Sequence, residues 1–248
     1  MKYSVCIEML FHEAMFEDRI RLAKEAGFSA VEFWCWWEHD MEAITGVCRS
    51  EGMLISNICT RFIPLTDLGQ ADDYIAGLIE TLEAAKRLGC LNIVSHIGSD
   101  TGESRERQLN HIEETLRRCI PYLEEAGRTL LLEPVNRGEI PNYFAPYSDE
   151  VGAIIRKTGS PSVRMLFDIY HQQLSEGNII NHLRRNIDVI GHIHAAGVPE
   201  RAELDYSEVD YKRIIRELGA LGYDKYIGLE YMPREKTVDG LSRLPILK

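Results

Sequence analysis

Short apolar runs alternate along the whole chain with longer segments of helical periodicity. The runs fall at residues 4–8, 30–33, 54–57, 92–96, 130–133, 163–168, 189–194 and 226–230. Segments such as 73–87 and 105–126 repeat apolar residues at three- and four-residue intervals, which predicts amphipathic helices between the strands. A glycine stands a few residues ahead of six of the runs, at Gly27, Gly52, Gly89, Gly127, Gly159 and Gly222. Glycine just past a helix supplies the left-handed residue that stops it. Strands alternating with helices imply parallel pairing through right-handed crossovers. Eight such units predict a closed (β/α)8 TIM barrel rather than an open doubly wound sheet. No Gly-x-Gly-x-x-Gly follows the first strand, which weakens a dinucleotide-binding sheet further. No linker or low-complexity segment interrupts the rhythm, so the expectation is one domain over residues 1–248.

Composition narrows the partners. A length of 248 residues matches one such barrel, which runs to roughly 250. The net charge of −11, with no basic run to offset it, argues against nucleic acid as a partner. No stretch of about 18 apolar residues offers a membrane span. The start runs directly into a strand pattern without a signal peptide. Cys6, Cys35, Cys48, Cys59, Cys90 and Cys119 form no Cys-x-x-Cys pair and sit among apolar residues. That pattern suits reduced thiols in a cytoplasmic protein, not a cysteine zinc site.

The chemistry lies in the last polar residue of each strand: Glu8, Glu32, Asn57, His96, Glu133, Asp168, His194 and Glu230. In a barrel these strand ends share one mouth, where active sites form. Carboxylates crowded there repel unless a cation binds them. Glu133, Asp168, His194 and Glu230 form the best ligand set for one divalent metal. Three carboxylates and an imidazole suit Mn2+, Mg2+ or Co2+, with Zn2+ also compatible. His96 and Glu32 are candidate substrate contacts at the same mouth. The alternative for Glu8 and Glu32 is pairing with a local Arg or Lys. For His192, a core histidine with a satisfied hydrogen bond is the plainer reading. Phe33, Trp34, Trp36 and Trp37 either wall the pocket or form a subunit contact.

Four stretches carry a resemblance: Leu132-Glu133-Pro134-Val135-Asn136-Arg137-Gly138-Glu139, Phe167-Asp168-Ile169-Tyr170-His171, Gly191-His192-Ile193-His194 and Gly228-Leu229-Glu230-Tyr231-Met232-Pro233. In these the chain resembles the xylose-isomerase-like superfamily, above all hydroxypyruvate isomerases and ketose 3-epimerases. The resemblance implies that Glu133 and Glu230 are both metal ligands and the acid/base pair. It implies that Asp168 and His194 complete the metal set, and that His171, Arg201 and Glu139 contact a small sugar or hydroxy-keto acid. A homo-oligomer, dimer or tetramer, is implied too. The Asp168–His171 run and the Tyr231-Met232-Pro233 tail resemble hydroxypyruvate isomerases. His194 and the Asn136-Arg137-x-Glu139 pattern resemble the epimerases. For Arg201, an ordinary surface arginine in an acidic loop is the competing reading. The expected reaction is metal-dependent isomerisation through an enediolate. Its alternatives are 3-epimerisation, an inosose dehydratase-like lyase, or an endonuclease IV-like phosphodiesterase.

Overall fold

The computed structural model describes residues 1–244. Its nine strands are β1 (Lys2–Cys6), β2 (Ala30–Glu32), β3 (Leu54–Ile55), β4 (Asn57–Cys59), β5 (Asn92–His96), β6 (Thr129–Glu133), β7 (Val163–Asp168), β8 (Ile190–Ala195) and β9 (Tyr226–Leu229). All pair in parallel, in the order β3-β2-β1-β9-β8-β7-β6-β5-β4. β3 and β4 are separated only by Ser56, so they are one strand position split in two. The order is therefore cyclic, and the eight expected positions close into a TIM barrel.

The helices around it are α1 (Phe16–Glu25), α2 (Met41–Glu51), α3 (Ala71–Leu88), α4 (Arg105–Ala126), α5 (Ser148–Thr158), α6 (Ile169–Ser175), α7 (Ile179–Asn186), α8 (Tyr211–Ala220) and α9 (Thr237–Arg243). α4 has the limits that its periodicity predicts. The helix-stopping glycines do what their placement implies: Gly89 and Gly127 cap α3 and α4 at φ 67° and 62°. Two apolar cores result. The larger lies between the strands and the helices; the smaller fills the barrel axis with Cys59, Val94, Leu131 and Leu166. Among the described residues, no helix is long and apolar enough to cross a membrane.

Three strand ends differ from expectation. β1 stops at Cys6, leaving Glu8 in the following turn. Its carboxylate turns outward, accepting from the backbone N–H of Trp34 (3.3 Å) and Cys35 (3.4 Å) and lying 3.1 Å from His39 Nε2. Asn57 begins β4 rather than ending a strand, because pairing passes at Ser56 from β2 on one side to β5 on the other; Cys59 is the last residue there. Glu230 lies one residue beyond β9.

Candidate active site

Glu133 ends β6, Asp168 ends β7, His194 lies one residue before the end of β8, and Glu230 follows β9. All four are 5% exposed or less. Parallel pairing brings their Cα atoms to one level: Asp168 sits opposite His194, and His96 opposite Glu133. One donor atom each from Asp168, His194 and Glu230 lie within 4.8 Å of one another, and so do atoms of Glu133, Asp168 and His171. Asp168 thus joins both groups.

Each carboxylate is differently held. Glu230 Oε1 accepts from the Trp34 indole N–H at 2.8 Å, and Oε2 from Arg201 Nη2 at 2.6 Å. Asp168 Oδ1 caps α6 by accepting from the backbone N–H of Tyr170 at 2.7 Å, which leaves Oδ2 buried without a hydrogen-bond partner. Glu133 Oε2 lies 3.1 Å from His96 Nε2, and Oε1 lies 3.7 Å from His171 Nε2. Burial pushes all three toward protonation. For Glu133, His96 and His171 outweigh burial and hold it below the ordinary carboxylate value. His194 and Arg201, with the Trp34 indole, hold Glu230 well below it. For Asp168, burial wins over His171 and Arg201, and its value is raised.

The donor set fits a divalent cation. Asp168 Oδ2 is an orphaned buried oxygen, and neither nitrogen of buried His194 makes a hydrogen bond, although a carboxylate oxygen lies near each. Buried polar atoms without partners are costly and call for one. His171 is set apart from this role. Its Nδ1 faces the Asn136 side-chain amide N–H at 2.7 Å, so Nδ1 accepts and the ring proton sits on Nε2, pointing at the carboxylates. In this arrangement the ring offers the carboxylates a proton rather than a lone pair.

A cavity of about 320 Å³ opens above the cluster, within the ~300–1,000 Å³ typical of small-molecule sites. Glu32, His96, Glu133, Glu139, His171, His194, Arg201 and Glu230 all line it, and Asp168 lies beneath. Arg201 is no surface arginine: it is 19% exposed, reaches Glu139 at 3.7 Å and lies 5.3 Å from the Tyr170 ring centroid. Its backbone sits at φ 53°, a left-handed conformation that non-glycine residues adopt at a cost. Glu32 and Glu8 pair with histidines rather than with Arg or Lys: Glu32 lies 3.0 Å from His192 and 3.2 Å from His194. His192 is buried, 1% exposed, as its position suggested, but its Nε2 makes no hydrogen bond, so the satisfied histidine expected there is not found.

Of the aromatic run, Phe33 and Trp34 line the cavity. Trp36 and Trp37 are not among its lining residues; they pack edge to face, with the Arg61 guanidinium 4.8 Å from each ring. Sequence reasoning offered Trp34 as a pocket wall but missed its bond to Glu230, and it missed the bond of Asn136 to His171. It also missed Tyr143, whose hydroxyl donates to the Glu133 carbonyl at 2.6 Å and pins the end of β6. Nothing in their spacing signals these contacts, which are made by side chains of the loops that follow β2 and β6.

Comparison with known proteins agrees with this fold. The Xylose isomerase-like TIM barrel family model matches residues 20–246. A 2-oxo-tetronate isomerase of Cupriavidus necator is 32% identical, over 98% of this chain and 97% of its own. A putative hydroxypyruvate isomerase of Mus musculus is 30% identical, over 98% and 94%. The crystal structure of an AP endonuclease, family 2, from Brucella melitensis superposes with a TM-score of 0.94 at 26% identity, covering 98% and 97%. D-psicose 3-epimerase from Clostridium cellulolyticum, at 17% identity and TM-score 0.82 over 98% and 89%, shares the fold. The chain belongs to the xylose isomerase-like TIM barrel family, among full-length relatives named as isomerases.

Proposed function

We propose that this chain is a metal-dependent isomerase of a small 2-oxo hydroxy acid, of the hydroxypyruvate or 2-oxo-tetronate kind. The observation that carries the reading is the buried pair Glu133 and Glu230, one in each of the two donor groups that Asp168 joins. Glu133, Asp168, His194 and Glu230 would hold the cation, of which Mn2+, Mg2+, Co2+ and Zn2+ all suit the donors. When bound, the cation supplies Lewis-acid stabilisation of the negative charge that develops on the substrate.

The protein's own groups do the rest. A carboxylate at Glu133 or Glu230 takes the proton from the carbon beside the carbonyl, leaving an enediolate. The proton returns to the neighbouring carbon. His171, protonated on Nε2, donates to a substrate oxygen. Arg201 is the fixed cation of the cavity and suits a substrate carboxylate. Glu139, held by the Tyr170 hydroxyl at 2.8 Å, and His96 frame the open side. Trp34 and Phe33 exclude water from above.

Ketose 3-epimerisation is the second reading. It is favoured by the polar group of Glu139, Tyr170 and Arg201 at the rim and by a second cavity of about 420 Å³ that shares Phe62 and His96 with the first. That room exceeds what a three-carbon acid needs. Incubating the Mn2+-loaded protein in D2O with hydroxypyruvate, a four-carbon 2-oxo acid and a ketose panel decides between them. Isomerised acid with deuterium at the new C–H supports the first reading; C3 inversion of a ketose replaces it with the second. Loss of one water marks a lyase, and no exchange in any substrate sinks both readings.

A further inference from the structure

Glu32, the last residue of β2, is 2% exposed and borders the cavity. Its two oxygens are not equivalent. Oε2 accepts from the Asn57 amide (2.5 Å), the Ser56 hydroxyl (2.9 Å) and the Ser4 hydroxyl (3.3 Å), and His192 Nε2 lies 3.0 Å away. Oε1 is buried with no hydrogen-bond partner and faces His194 Nε2 at 3.2 Å. The other nitrogen of that ring, Nδ1, faces the ligand cluster, 3.3 Å from Glu230 Oε2. Three separate elements thus fix one oxygen of Glu32, and the other is aimed at the back of His194.

Gly228 supplies an independent observation. A Cβ there would stand 2.0 Å from Glu32 Oε1 and 2.9 Å from His192 Nε2. The only residue that leaves room for the carboxylate in this place is the one present.

We infer that Glu32 is the positioning residue of the metal site: it accepts the Nε2 proton of His194, so that the Nδ1 lone pair is the one presented to the cation. This rests on the metal-dependent reading above. An imidazole bearing one proton can coordinate only through its other nitrogen, and a carboxylate behind a ligating histidine fixes both the tautomer and the ring. Glu32 therefore acts through His194 and does not need to touch substrate, although it borders the cavity floor.

The test uses the full chain with metal alone. Wild type, Glu32→Gln and Gly228→Ala are titrated with Mn2+ and Co2+ against a chelator, with circular dichroism and thermal unfolding as fold controls. The expected result is a roughly 10–100-fold loss of affinity in both variants, with an altered visible spectrum of bound Co2+. Glu32→Asp recovers part of the loss. A merely structural role lowers the unfolding temperature without moving affinity or the Co2+ spectrum. Affinity in Glu32→Gln within twofold of wild type overturns the inference and leaves the isomerase reading standing. Wild type that binds no divalent cation overturns both. Should both variants fail to fold, long-range proton–nitrogen spectra of the Zn2+-loaded wild type decide. A His194 proton on Nε2 supports the assignment, and coordination through Nε2 ends it.

Discussion

At Glu133 and Glu230 the two oxygens of each carboxylate have different neighbours. Both oxygens of Glu230 are engaged, by Trp34 and Arg201, whereas Glu133 Oε1 has only the more distant His171 facing it. If these carboxylates move the proton, Glu133→Gln and Glu230→Gln each lower kcat by about 10²–10⁴-fold, the usual span of general base catalysis. Circular dichroism of both variants matches wild type. Turnover within a few-fold of wild type in both removes them from the mechanism. These two residues were readable from the sequence because each ends a very apolar run, where a charge without a partner is costly. Trp34, Asn136 and the true partners of Glu32 were not, since each contact joins segments that are separated in the chain and meet only in the folded barrel.

The strands were legible as elements because apolar runs ending in one acid or histidine contrast sharply with their polar flanks. Their exact ends were not. Periodicity could not show that the third position splits at Ser56, whose backbone N–H bonds to Val31 on one side while its carbonyl accepts from Asn92 on the other. Nor could it show the register shift between β7 and β8 at Met165 and Leu166. Gly191 sits beside that shift, and a Cβ on it would lie 2.5 Å from Leu131 Cδ2 and 2.8 Å from Arg164 Cβ. Gly191→Ala is therefore expected to destabilise the fold by about 1–3 kcal/mol, as overpacking does. Urea unfolding measures it; an unchanged midpoint contradicts the tight approach of these strands.

For the whole molecule, a cluster of buried carboxylates that repel one another should be stabilised by the ion it holds. Saturating Mn2+ is expected to raise the unfolding temperature, with about 2.7 kcal/mol gained at one hundred times the dissociation constant. A chelator is expected to reverse the rise and abolish turnover together. An unfolding temperature insensitive to every divalent ion tested contradicts the site. Acid also acts away from the site, between α5 and the segment leading into β8. Burial opposes ionisation of Asp149, but Asn186, Arg185 and His182 hold its value below the ordinary 3.8. Arg156 does the same for Asp188. Both groups have folded values below unfolded ones, so their stabilisation is full above about pH 4 and fades as pH falls through the lowered values. Both are well exposed, at 41% and 57%, so the effect is small. The double variant Asp149→Asn, Asp188→Asn should flatten the acid limb of the stability curve, and an unchanged limb contradicts this.

The sequence alone determined the repeating strand–helix order, the barrel it closes into and the acids and histidines carried to one mouth. Those follow from local periodicity and helix-stopping glycines, which act within a few residues. Tertiary structure alone decided how these groups are used. It gave Arg201 to Glu230, turned His171 into a donor through Asn136, withdrew Glu8 to the loop after β2, and set Glu32 behind His194. Side-chain orientation and charge pairing depend on distances between strands that are remote in the chain, and those distances exist only once the barrel has closed.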